Sequence, residues 1–70
     1  MKHLLYVVDK HFNILYKFQF AKESFLLEFI EKQNAEENKT NMLVFNFDDD
    51  EEIVSLQVYK NGKLFKTTLA

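Results

Sequence analysis

Apolar and polar positions alternate with a period of two along most of this chain, and one central stretch breaks that rhythm with a helical period. "HLLYVV", residues 3–8, is apolar on both faces, as expected of a strand inside a sheet. "DKHFN", residues 9–13, reads as a turn. Its Asp can accept bonds from the backbone ahead, and its Asn tolerates a left-handed backbone. "ILYKFQF", residues 14–20, alternates, with Ile14, Tyr16, Phe18 and Phe20 on one side and Leu15, Lys17 and Gln19 on the other. Pairing Val8 with Ile14 brings Tyr6 to Tyr16 and Leu4 to Phe18, which makes one aromatic face.

The period then switches. Residues 22–38 place Phe25, Leu26, Phe29, Ile30 and Gln33 at helical spacing. Glu23 sits where the helix dipole favours an anion, and Glu28 precedes Lys32 by four positions in the favourable order. Three further strands follow, at residues 42–47, 53–59 and 64–69. Asn61-Gly62 between the last two is a strong hairpin signal, because both central positions of that turn require a positive φ. It pairs Lys60 with Lys63, Val58 with Phe65, Leu56 with Thr67 and Val54 with Leu69.

The pattern therefore predicts an α+β domain of order ββαβββ, with a mostly antiparallel five-stranded sheet and one helix across one face. Strand 1 is apolar on both faces and belongs inside the sheet, in the order 2-1-3-4-5 or 2-1-5-4-3. The aromatic side, formed by Leu4, Tyr6, Val8, Tyr16, Phe18, Phe45, Leu56, Val58 and Phe65, is the side expected beneath the helix. That leaves Leu5, Val7, Leu15, Met42, Val44, Tyr59 and Leu64 as an apolar patch on the bare face. They are diluted there by Lys17, Gln19, Asn46, Ser55, Gln57 and Lys66. An apolar patch rimmed by polar residues is the composition of a protein interface.

The acidic run Asp48, Asp49, Asp50, Glu51 and Glu52 falls between two strands. Pairing Phe47 with Val54 and Asp48 with Ile53 leaves residues 49–52 as a four-residue hairpin loop, so a solvated turn accounts for the run. It lacks the Gly and the distant bidentate Glu of a helix-loop-helix calcium site. As a nucleic-acid mimic it would need more acids along a face, whereas nine Lys hold the net charge at −2. A contact with a basic partner is compatible with the turn.

Composition narrows the function. The 70 residues make one domain, contain no Cys and only two His, and so lack the usual staples of small domains. Eight Phe and three Tyr supply the packing material. There is no signal-peptide pattern, and no stretch reaches the roughly 20 apolar residues of a membrane span, so a cytoplasmic location is expected. The "NKT" sequon at Asn38 then carries no meaning. Arg is absent, which weakens readings that need bidentate phosphate or guanine recognition. The lean towards Lys, Asn, Ile and Phe suits an AT-rich bacterial or phage genome. His3 and His11 have no ligand spacing and read as exposed polar residues. Ser24 and Ser55 lack a nucleophile's context, and the single Gly is taken by the turn. No cofactor, metal or catalysis is expected. The expected function is a small interaction module that associates with itself or docks on another protein, as an accessory protein of a phage or mobile element would. The alternative is a nucleic-acid role, either single-strand binding on a sheet face bearing Lys and aromatics or mimicry through the acidic loop.

Overall fold

The computed structural model describes residues 2–35 and 40–70. Its elements are β1 (Lys2–Val8), β2 (Ile14–Phe20), α1 (Glu23–Ala35), β3 (Asn41–Phe47), β4 (Ile53–Lys60) and β5 (Lys63–Leu69). The strands form one antiparallel sheet in the order β2-β1-β3-β4-β5. This is the first of the two orders expected from the apolar character of β1. Each strand matches its expected span to within a residue at either end. The expected helix began at Lys22; α1 begins one residue later. The last positions of its expected span, 36–38, lie outside the described residues, as does the sequon's Asn38.

All three hairpins are built with one inserted residue, which shifts the expected register of the first and third. In the second, the register that follows from pairing Phe47 with Val54 holds from Asn46 inward, with Phe45 on Leu56 and Leu43 on Val58, and only the pair nearest the turn departs from it. Each contains a β-bulge on its second strand, one pair beyond the turn in the first two and two pairs beyond it in the third. In the first hairpin Val8 pairs with Ile14 but Val7 pairs with Tyr16, so Leu15 is the extra residue. In the second, Phe47 pairs with Ile53 and Asn46 with Ser55, so Val54 is extra. In the third, Tyr59 pairs with Leu64 and Val58 with Lys66, so Phe65 is extra. A residue inserted on one strand moves every later side chain of that strand to the opposite face. Phe18 and Phe20 therefore join Leu5 and His3 rather than Leu4 and Tyr6. Lys66 and Thr68 join Val58 and Leu56.

The bulges overturn the face expected beneath the helix. Leu26 and Ile30 of α1 pack on Leu5, Val7, Met42, Val44 and Tyr59, with Phe20 and Phe29 at the margin. Leu5, Met42 and Val44 are wholly buried there. Ring contacts of Phe29 with Phe18 at 4.7 Å and with Phe20 at 5.6 Å tie the helix to β2. The residues expected as a bare patch (Leu5, Val7, Met42, Val44 and Tyr59) are thus the core. Leu15 and Leu64 are exposed, but at a bulge and beside a turn. Phe25, expected on the helix's buried stripe, is 53% exposed. His3, expected at an exposed position, is only 4% exposed.

Candidate functional site

The face away from α1 is the one without cover among the described residues. Its composition follows from the registers, which give two complete rows across the five strands. One row reads Lys17, Tyr6, Leu43, Val58, Lys66; the next reads Gln19, Leu4, Phe45, Leu56, Thr68. The apolar residues lie on the three central strands, and polar residues close both ends of each row. Tyr6 and Phe45 meet edge to face at 5.7 Å. Val8 is buried, while Leu4, Tyr6, Leu43, Phe45, Phe47, Leu56 and Val58 are half-buried against one another.

The charged side chains that the strands place on this face have one sign. None of the five strands contains an Asp or a Glu. Lys2, Lys17, Lys60, Lys63 and Lys66 all share the face by register with the apolar rows. Two of them lie on rings, Lys2 Nζ at 5.1 Å from the Phe47 centroid and Lys60 Nζ at 4.1 Å from that of Phe65. Such contacts fix cations beside apolar surface at little cost in hydration. The described acids stand on α1 and in the loops at 9–13 and 48–52.

The acidic loop is a turn with a defined construction. The Asp48 amide donates to the Glu52 carbonyl at 3.0 Å, and the Glu51 amide to the Asp48 carbonyl at 3.2 Å. Asp48 Oδ1 accepts from the amides of Asp50 at 2.9 Å and Glu52 at 3.0 Å. Glu51 adopts φ 60°. The loop at 9–13 repeats this pattern. Asp9 Oδ1 accepts from the amides of His11 and Asn13, and Phe12 adopts φ 64°. The left-handed residue there is Phe12 rather than the expected Asn13. The Asn13 backbone bond, supported by the Asn13 side chain and the His11 amide, outweighs the desolvation of Asp9 and holds its carboxyl below the usual carboxylate value. One Asp thus organises each loop. Asp48 is spent on its own backbone, Asp49, Asp50, Glu51 and Glu52 are exposed, and Lys2 stands 3.4 Å from Glu51.

A third feature was not visible in the sequence. His3 Nδ1 donates to Asn46 Oδ1, and Asn46 Nδ2 donates to Ser55 Oγ at 2.9 Å and to Gln57 Oε1 at 3.2 Å. This polar chain runs along one wall of a cleft of about 300 Å³ between the start of α1 and the sheet. His3 Nε2 is buried without a hydrogen-bond partner. Ser55 Oγ accepts from Asn46, and the imidazole's own hydrogen bond goes to Asn46 rather than to Ser55. Asn46 beside His3 and Ser55 across a register pair is the signal that could have grouped them.

No protein-family model, curated protein or solved structure matches this chain. The reading of function therefore rests on the geometry alone. No helix among the described residues is long and apolar enough to cross a membrane.

Proposed function

We propose that this protein is a small, non-catalytic interaction module that docks another protein on the open face of its sheet. The observation that supports this is the pair of rows across the sheet, with Leu4, Tyr6, Leu43, Phe45, Leu56 and Val58 at the centre and polar ends. The expectation of an apolar sheet face used as an interface is kept, but on the opposite face to the one the sequence suggested. Five strands about 4.8 Å apart and seven residues long give a face of roughly 24 by 24 Å. That is about 580 Å², close to the roughly 600 Å² per partner at the lower end of specific interfaces. The molecule exposes 5116 Å², against about 4600 Å² expected for a folded monomer of this mass. That excess fits a fold that is completed by association.

The test is a photo-crosslinking amino acid placed at Gln19, beside the open face, and separately at Glu28 on the helix. The supporting result, in the cell that makes the protein, is one discrete protein adduct from position 19, absent from position 28 and lost on Val58→Glu in a chain that still folds. No adduct from position 19, or the same adduct from both positions, would contradict the reading.

A further inference from the structure

We infer that the partner presents an amphipathic helix whose apolar stripe is flanked on both sides by Asp or Glu, and that Lys17 and Lys66 select it. This deepens the docking reading above and rests on it. Two observations carry it, the width of the apolar stripe and the single sign of the charge around it.

The width comes from the row Lys17, Tyr6, Leu43, Val58, Lys66. Three central strands span about 10 Å from first to last, which is the width of one α-helix with its side chains. A helix laid along β1, β3 and β4 covers the apolar residues and leaves one lysine on each flank. The two lysine-bearing strands lie four spacings apart, about 19 Å. Flexible lysine side chains then reach inward to carboxylates on either side of a bound helix. Its apolar side chains would meet Leu4, Tyr6, Leu43, Phe45, Leu56 and Val58.

The charge argues against a second copy as the occupant. Two such sheets stacked face to face about a two-fold axis bring β2 over β5 or β2 over β2. The first places Lys17 across from Lys66, and the second places Lys17 across from Lys17. With no acid in any strand, neither arrangement sets an acid against Lys17 or Lys66 in the central rows, and like charges across an interface suppress pairing. An acid-flanked helix meets complementary charge on both sides. A single-stranded nucleic acid would also meet the lysines. The centre of the two rows, however, is mostly aliphatic, Leu4, Leu43, Leu56 and Val58, and its two rings, Tyr6 and Phe45, are engaged edge to face with each other at 5.7 Å, which leaves bases a poor stacking platform.

The experiment titrates the isotope-labelled protein with two synthetic amphipathic peptides that share one Leu/Phe stripe, flanked by Glu in one and by Lys in the other. The expected result is amide shifts along β1, β3 and β4 and binding of the Glu peptide at least tenfold tighter at low salt. That gap should narrow as salt shortens the Debye length. The double variant Lys17→Glu, Lys66→Glu should reverse the preference. Equal binding of the two peptides on this face would overturn the inference and leave the docking reading standing. Binding of neither peptide would overturn it too, and the crosslinking result would then decide the docking reading separately. Displacement of the Glu peptide by oligothymidylate would overturn it in favour of nucleic acid. A dimer on light scattering that persists in the double variant would overturn it in favour of a second copy.

Discussion

Phe12 and Glu51 hold backbone conformations that their side chains disfavour. They occupy the same left-handed position of two like-built loops, at φ 64° and 60°. A left-handed non-glycine residue costs about 1–2 kcal/mol. Both side chains are exposed, so little packing repays that cost. Phe12→Gly and Glu51→Gly should each raise stability by about 1 kcal/mol, read as a higher urea midpoint with an unchanged slope. At Gly62 the reverse holds. Its φ is 80°, and a Cβ there would lie 2.8 Å from Asn34 Oδ1. Gly62→Ala should cost about 2 kcal/mol from the backbone conformation and the clash together. Asp9 gives a pH signature. Its folded pKa is lowered, so its contribution is complete above about pH 4, the usual carboxylate range, and fades as pH falls through the lowered value. The destabilisation caused by Asp9→Ala should therefore be largest at neutral pH and shrink in strong acid, as measured by urea titrations at each pH.

At the scale of elements, α1 is held by a narrow contact. Only Leu26 and Ile30 of its described residues are buried, one turn apart, with Phe29 leaning on two rings of β2. Ile30→Ala should cost about 2–5 kcal/mol, a large share of the 5–15 kcal/mol typical of a domain. Thermal unfolding followed by far-ultraviolet circular dichroism would show it. Much of this level was legible in the sequence. The alternating runs placed all five strands, the switch of period placed the helix, and Asn61-Gly62 placed the last turn. The doubly apolar β1 placed itself inside the sheet. The faces were misjudged because of the bulges. A period-two reading carries the first and third hairpin registers straight from their turns, so one inserted residue inverts the remainder of β2 and of β5. A signal was present at each site. The second strand of each hairpin carries two consecutive apolar residues at or next to its start, Ile14-Leu15, Ile53-Val54 and Leu64-Phe65, and the second of each pair is the bulged one. The His3–Asn46 pairing was hidden for another reason. It depends on the β1–β3 register, which joins strands that are distant in sequence.

For the whole molecule, the arrangement is a sheet with two unlike apolar faces. One is sealed by α1 around Leu5, Val7, Met42 and Val44; the other is open, centred on Leu43 and Phe45 and bordered by lysines. Valines on the neighbouring strands β3 and β4, one on each face, should therefore respond in opposite ways to the same change. Val44→Lys should abolish folding, because it buries an unpaired charge in the core. Val58→Lys should leave a folded chain. A soluble gadolinium chelate applied to the methyl-labelled protein at low concentration tests this arrangement most directly, because it broadens only resonances near solvent. The expected result is broadening of the Leu43, Leu56 and Val58 methyls with sharp signals from Leu5, Val7 and Val44. Sharp Leu43, Leu56 and Val58 signals beside broadened Leu5, Val7 and Val44 would place the helix on the other face and remove the surface on which the proposed docking depends.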